Sequence, residues 1–512
     1  MPIINSLIEW LIKKRIHQIE LFVKYPHEVQ NDLLEKLLNA GRQTEWGRRW
    51  NYDNIRTYED YARNVPVQDY ETLKPFIEEI RQGKQNVLWN TEIRWFAKSS
   101  GTTADKSKFI PVSYEALEEC HYKAGKDMLA IYCHNYNDNH IFEGMSLAMG
   151  GSGTLREVNN TELMEGDLSA ILMHNLPWWA ELRRTPQLSV ALMEEWESKI
   201  ETMARLTLNE DITSITGVPS WTLVLLRRIL EISGKDNISE VWPRLEAFFH
   251  GGVSFKPYRT QFQKLIPSDR MHYMETYNAS EGFFSIQDDP NDDAMLLMLD
   301  YGIFYEFIPF EQFVSGEHKP IPLWEVETGK NYAMVITTNG GLWRYMIGDT
   351  VMFTSLNPYK IRITGRTRHF INAFGEEVIA DNVEKALAIA CEKCNAIIEE
   401  YTGAPRYFGD SGRGAHEWIM EFSATPTSLD YFTEVFDNAL KSVNSDYEAK
   451  RYKNMVLDPP VVHAVPRGTF YKWMKHRNKL GGQNKVPRLA NERKFVDEIL
   501  SLLENKEFTA NQ

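Results

Sequence analysis

Ile93-Arg94-Trp95-Phe96-Ala97-Lys98-Ser99-Ser100-Gly101-Thr102-Thr103-Ala104-Asp105-Lys106-Ser107-Lys108-Phe109-Ile110-Pro111-Val112-Ser113 is the stretch on which the fold turns. Residues 93–97 have a strand's composition, residues 99–103 are small or carry hydroxyls, and Ser113 can cap a helix running through Tyr132. Strand, loop and helix in that order put the loop at a strand's carboxyl end, where open α/β sheets take their ligands. Gly101 permits backbone angles closed to other residues, so amides and hydroxyls can converge on one anion, with Lys106 and Lys108 behind them. This is the chemistry of a phosphate loop. It is not the Gly-x-x-x-x-Gly-Lys-Ser/Thr loop, which occurs nowhere in the chain, and alone a Ser/Thr/Gly run is an ordinary solvated turn. Other motifs have to support it.

The chain has 512 residues, 43% of them hydrophobic, enough for two or three domains with their own cores. A net charge of −14 with interspersed signs argues against nucleic acid as the main partner. Four cysteines, Cys120, Cys133, Cys391 and Cys394, are too few to staple such a chain, and with no signal peptide ahead of them the expectation is a reducing, cytoplasmic setting. Cys391 and Cys394 form a lone pair without zinc-ligand companions and read as half-buried thiols. The opening stretch from Ile3 to Phe22 is broken by Glu9, Lys13, Lys14, Arg15 and Glu20, too charged to span a bilayer, so it reads as an amphipathic surface helix with no membrane partner.

Helical periodicity dominates to about residue 85. Further helices are expected over Pro186 to Leu206, Ser220 to Ile232 and Val241 to Phe249, with short strands at Met145 to Met149, Ser214 to Thr216, Met271 to Glu275 and Gly282 to Gln287. Alternation of this kind implies an α/β architecture. From about Leu296 the texture becomes an antiparallel meander: Tyr332 to Thr338, a turn at Asn339-Gly340, then Leu342 to Ile347, Asp349 to Thr354 and Ile361 to Thr364. Beyond Arg368 a compact α+β unit follows, so the expected division is 1–365 and 366–512, with a hinge at 364–369.

Three more motifs carry chemistry. Tyr277-Asn278-Ala279-Ser280-Glu281, preceded by His250-Gly251-Gly252-Val253, offers a ring for a base, a hydroxyl for phosphate and a carboxylate for Mg²⁺, which takes few carboxylates alongside phosphate oxygens. In Trp343-Arg344-Tyr345-Met346-Ile347-Gly348-Asp349 an acid follows an apolar strand and a glycine, a setting in which a carboxylate accepts both ribose hydroxyls. Gln483-Asn484-Lys485-Val486-Pro487-Arg488 lies in a basic loop where a lysine can reach an anion. The ordinary readings are a surface acid, a turn acid and a solvated cationic loop.

Their order is distinctive. With Val65-Pro66-Val67, Leu73-Lys74-Pro75, Asn86-Val87-Leu88-Trp89 and Gly468-Thr469-Phe470, these motifs make the chain resemble the adenylate-forming superfamily, and within it the acyl-acid amido synthetases of the Gretchen Hagen auxin-responsive family, including its bacterial members. The resemblance runs nearly the whole length. It implies a large N-terminal ATP- and acid-binding domain, of α/β sheets plus the antiparallel meander, and a smaller, mobile α+β cap. By the same resemblance Ser99, Ser100, Thr102 and Thr103 would hold the ATP phosphates, Tyr277 and the Gly251-Gly252 backbone would flank adenine, and Ser280 would join the nucleotide site. Glu281 would ligate Mg²⁺, Asp349 would bind ribose, Arg366 would approach the nucleotide, Arg368 would be the pivot, and Lys485 would stabilise the adenylation transition state. Ser100, Glu281 and Lys485 are thus the expected catalytic set. Two departures stand out: Ala104-Asp105 where the phosphate loop usually continues with glycine, and Gly375-Glu376-Glu377-Val378 where plant relatives tend to have a lysine.

The implied reaction has two halves: ATP and a carboxylic acid form an acyl-adenylate with release of pyrophosphate, and an amine, most plausibly an amino acid, then takes the acyl group. The alternatives are an acyl-CoA ligase and a nucleotide-binding relative without turnover. The helix after Ser113, segments near Leu155 and Val218, and Phe255 are candidates for the acid pocket.

Overall fold

The computed structural model describes residues 14–99, 108–151, 155–159, 161–193, 195–252, 255–256, 258–367, 370–371, 376, 378–407, 414–444, 447–448, 451, 457–480, 485–490 and 492–504. The chain divides into two compact units. The first comprises Met1–Phe255, Gln261–Ile347 and Val351–Arg362; the second comprises Lys256–Thr260, Gly348–Thr350 and Ile363–Gln512.

Residues 14–24 are helical, followed by helices Pro26–Gly41, Glu45–Arg49, Tyr58–Asn64 and Tyr70–Arg81. The last shows how local sequence sets an element. Asp69 Oδ1 accepts from Thr72 N at 2.9 Å while Asp69 N donates to Thr72 Oγ1 at 3.0 Å, a reciprocal cap. Leu73, Ile77 and Ile80 then recur on one face and are buried. Gly41 ends the helix Pro26–Gly41 without a side chain because a Cβ there would lie 2.5 Å from the Trp343 ring.

The first unit's main sheet has twelve strands, antiparallel at one end and parallel at the other. In order across the sheet they are Ile321–Pro322, Ile303–Pro309, Asn331–Thr338, Tyr345–Leu356, Tyr359–Arg366, Met295–Leu297, Gly282–Ile286, His272–Ala279, Ala247–Gly251, Ile212–Gly217, Met145–Ala148 and Arg184–Thr185. From His272–Ala279 to Arg184–Thr185 every pairing is parallel. The switch from parallel to antiparallel pairing falls at strand His272–Ala279, within one sheet and ahead of the change of texture expected near Leu296. Helix Pro219–Ser233 agrees with expectation; Val241 to Phe249 does not. There a single helical turn, Ile238–Val241, gives way to the strand Ala247–Gly251. Its Ala247, Phe248, Phe249 and His250 are all buried between parallel neighbours, and a strand covered on both faces has no alternation to distinguish it from a helix. The helix expected over Pro186 to Leu206 is two, Leu188–Ala191 and Trp196–Thr207. Leu342 to Ile347 and Asp349 to Thr354, expected as two strands, are mostly one, Tyr345–Leu356, with Gly348 at φ +89° inside it.

A second sheet of four strands has the order Lys108–Ser113, Ile93–Ser99, Met164–Gly166, Arg156–Glu157. Strands Ile93–Ser99 and Lys108–Ser113 thus pair antiparallel, with Ser99 opposite Lys108, and the helical stretch begins only after the second of them. Pro111, without an N–H to donate, is tolerated because its strand is at the sheet edge. Ser113 does cap the helical stretch that follows: Ala116 N donates to Ser113 Oγ at 2.9 Å, and Ser113 Oγ donates to Asn339 O at 2.7 Å.

In the second unit the strands Ile397–Arg406, Ala415–Ala424 and Val461–Val465 form a sheet in that order. Successive residues point to opposite faces. Trp418, Met420 and Phe422 pack with Phe432 and Phe436 of helix Leu429–Val443 and with Val383 and Leu387 of helix Ala380–Cys394. Ile419 and Val465 pack with Phe470 and Trp473 of helix Thr469–His476 and with Val496 and Ile499 of helix Lys494–Glu504. The cysteines are free thiols, and burial pushes Cys391 up to about 11. Among the described residues no helix is long and apolar enough to cross a membrane.

Candidate functional site

The expected site residues that the structure describes fall into two groups, one in each unit. In the first unit, Gly251 ends the strand Ala247–Gly251 opposite Thr276, and a Cβ on it would lie 2.5 Å from Thr276 O. Gly252 follows at φ +82°, a left-handed conformation that suits glycine. Thr276 Oγ1 donates to His250 O at 3.2 Å, locking the two strand ends together. Tyr277 is next on the same strand. Its ring is buried in the core, centred 4.7 Å from Phe284.

Ser280-Glu281 is the two-residue turn joining His272–Ala279 to Gly282–Ile286, with Ala279 opposite Gly282. Ser280 is buried and its Oγ has no hydrogen-bond partner, an arrangement that normally waits for a ligand or water. The motif Tyr277 to Glu281 is therefore a hairpin tip, and the strand pairing brings Gly251 beside it. Ser99 closes its own strand against Lys108. Ser100, Thr102 and Thr103 lie outside the described residues.

In the second unit, Asp349 is buried and accepts from Arg366 Nε through Oδ1 at 2.8 Å. Gly348, at φ +89°, turns the backbone so that its carbonyl receives Thr367 N at 2.8 Å; Thr364 Oγ1 donates to Thr350 Oγ1 at 2.9 Å. Asp349 is thus fixed from both flanks. Arg368 lies outside the described residues.

Lys485 keeps contact with solvent, yet the protein around it pushes its ammonium down to about 8. Crowding by protein is the main cause, the Arg366 and Arg488 guanidiniums add to it, and Asp349 opposes it. The loop is tied down just beyond: Thr402 Oγ1 donates to Pro487 O at 2.6 Å, Gly403 N to Arg488 O at 2.9 Å, and Ala490 N to Gly403 O at 3.1 Å. The Arg488 side chain is ion-paired with Glu400, donates to Tyr258 OH at 3.2 Å and lies 4.5 Å over the Tyr401 ring. Sequence reading noted Arg488 only as part of a motif and missed Tyr258 and Glu400. The nearest signal was the basic loop itself; its partners come from distant strands and loops.

The solved structure of AtGH3.15 acyl acid amido synthetase in complex with 2,4-DB superimposes with a TM-score of 0.80 at 16% identity over 96% of each chain. The GH3 family N-terminal domain matches residues 15–271, its central domain 296–366 and its C-terminal domain 381–494. The chain belongs to the GH3 family, within the adenylate-forming superfamily. It is 24% identical to jasmonoyl-L-amino acid synthetase GH3.5 of Oryza sativa subsp. japonica, over 94% of this chain and 95% of that one. Against the probable indole-3-acetic acid-amido synthetase GH3.1 of Arabidopsis thaliana it is 22% identical, over 97% and 94%. The resemblance read from the motifs is borne out at the level of family and fold.

Proposed function

We propose that this protein is an acyl-acid amido synthetase: it activates a carboxylic acid with ATP as an acyl-adenylate and passes the acyl group to an amino acid, forming an amide. The observation that carries the reading is the electrostatic group of Asp349, Arg366 and Lys485 in the second unit, within a chain that matches all three GH3 domains. A carboxylate is a poor acylating agent because oxide would have to leave; the adenylate leaves as AMP.

In the first half-reaction a carboxylate oxygen attacks the α-phosphorus and pyrophosphate departs. Negative charge gathers on the α-phosphoryl oxygens, and Lys485 is the cation that stabilises it. Asp349 accepts from the ribose hydroxyls, with Arg366 holding its carboxylate in place. Ser99, Ser100, Thr102 and Thr103 supply donors to the phosphates. Gly251 and Gly252 expose backbone toward adenine beside Tyr277. Ser280, with its unpartnered buried hydroxyl, supplies a further donor.

Mg²⁺ brought in with ATP needs few protein carboxylates, and the turn that carries Glu281 also presents the buried Ser280 hydroxyl. Glu281 would hold it, and the ion would neutralise phosphate charge. In the second half-reaction the amine attacks the acyl carbonyl and AMP leaves. Rotation of the second unit about 364–369, with Arg368 as pivot, would withdraw Lys485 and admit the amine.

A pyrophosphate-release screen over carboxylic acids, followed by mass analysis of products formed with mixed amino acids or with CoA, tests the proposal. Acid-dependent pyrophosphate release with an amide product is expected; a CoA thioester in place of the amide, or no release across a broad acid panel, refutes it.

A further inference from the structure

We propose that Arg488 is the positioning residue for Lys485, held by Glu400, Tyr258 and Tyr401 so that the lysine projects from a fixed root during adenylation. This rests on the role proposed for Lys485 above. A lysine on an exposed loop carries four rotatable side-chain bonds and a mobile backbone, and its charge is useful only where charge develops in the transition state. From Pro487 onward the backbone is held to the strand beside it.

The backbone there is knit to strand Ile397–Arg406 by three hydrogen bonds, from Thr402 Oγ1 to Pro487 O, Gly403 N to Arg488 O and Ala490 N to Gly403 O. Gly403 is required at that crossing, since a Cβ on it would fall 2.4 Å from the Trp418 ring. The Arg488 guanidinium then engages three kinds of partner at once: the Glu400 carboxylate, the Tyr258 hydroxyl at 3.2 Å, and the Tyr401 ring face at 4.5 Å. A planar, always-charged fork suits that combination, and a lysine would not reproduce it. Glu400 is pushed above the usual carboxylate range by burial, with Arg488 opposing. A buried acid of this kind is tolerated because the guanidinium answers it.

The same cation also acts on Lys485 through space, helping to depress its ammonium. Arg488 therefore has two separable effects on one residue, geometric and electrostatic. A purely structural arginine would have neither signature in the kinetics.

The experiment compares Arg488→Met, Arg488→Lys and Glu400→Gln with Lys485→Ala in two assays: ATP–pyrophosphate exchange for adenylation, and amide formation from preformed acyl-adenylate for transfer. Each variant is also followed by thermal unfolding. Expected for Arg488→Met and Glu400→Gln is a loss of about ten- to hundredfold in adenylation with transfer changed less than about threefold. Arg488→Lys should rescue little. In Arg488→Met the basic limb of the adenylation profile should also move to higher pH, because one cation no longer opposes the Lys485 charge. Adenylation and transfer falling together in step with lost thermal stability would overturn the assignment, as would an unaltered adenylation rate in both Arg488→Met and Glu400→Gln. Loss of adenylation in Lys485→Ala with none in the other variants refutes only the positioning role; no loss in Lys485→Ala refutes the role of Lys485 and this inference together.

Discussion

Arg366 Nε donates to Asp349 Oδ1 at 2.8 Å, with the acid almost wholly buried and the guanidinium 43% exposed. The carboxylate is therefore oriented before any ligand arrives, while its partner still reaches solvent. Removing the charge by Asp349→Asn is expected to raise KM for ATP by about ten- to hundredfold, the worth of one or two charge-assisted hydrogen bonds. Arg366→Met should raise it less, since the acid remains. ATP–pyrophosphate exchange at varied ATP measures both, and an unchanged KM in Asp349→Asn would remove Asp349 from the nucleotide site.

Lys485 supplies a pH test. Its ammonium is lowered to about 8 from an ordinary value of 10.5, so the charge that the proposed role in adenylation requires is present below that value and lost as pH rises through it. The kcat/KM of the exchange reaction for ATP is expected to fall with a midpoint near 8. Lys485→Arg keeps its charge throughout this range and should abolish the basic limb, whatever its maximal rate.

Glu306 and Arg344 form a fully enclosed ion pair. Arg344 Nε donates to Glu306 Oε2 at 2.9 Å and Nη2 to Oε1 at 2.7 Å, and Arg344 Nη1 donates to Ala62 O at 2.8 Å and Val65 O at 2.5 Å. Arg344 stands at φ +44°, in the left-handed region. Glu306→Gln strands a buried guanidinium and should cost about 3 to 5 kcal/mol of stability. Tyr58 OH, which donates to Glu306 Oε1 at 3.0 Å, makes Tyr58→Phe the milder companion, at about 1.5 to 3 kcal/mol. Urea unfolding followed by tryptophan fluorescence reads both.

Lys199 and Asp167 predict a pH dependence of stability. Lys199 Nζ donates to Gly150 O at 2.8 Å and Gly151 O at 2.9 Å; burial lowers it to about 8, with Asp167 opposing. Burial raises Asp167 to about 6, with Lys98 and Lys199 opposing. The folded protein thus holds more protons than the unfolded chain between the ordinary aspartate value of 3.8 and about 6, and stability from this group falls as pH rises there. Between about 8 and 10.5 the folded protein holds fewer protons on Lys199, and stability from that group rises with pH. Asp167→Asn should flatten the acid slope and Lys199→Met the alkaline one, in denaturant midpoints measured against pH.

How far the chain could be read in advance depended on what each residue had to satisfy locally. The helical periodicity that holds to about residue 85 and the turn at Asn339-Gly340 were legible because helix spacing and turn chemistry act within a few residues. The strand Ala247–Gly251 was not, since only its two parallel neighbours make it a strand. Lys108–Ser113 was missed because Pro111 argues against a strand until its edge position is known.

The site divides in the same way. Asp349, Glu281 and Lys485 could be named as candidates because the order of their motifs along the chain carries a family resemblance, although each alone reads as a turn acid, a surface acid or a solvated cationic loop. The grip of Glu400, Tyr258 and Tyr401 on Arg488, the Arg366–Asp349 pairing and the depressed charge on Lys485 could not. Sequence by itself determined the family, the order of the motifs and the elements whose signals are local. Only the tertiary structure decided register, strand direction and electrostatic environment, because each arises from groups tens to hundreds of residues apart that meet only when apolar surface is buried.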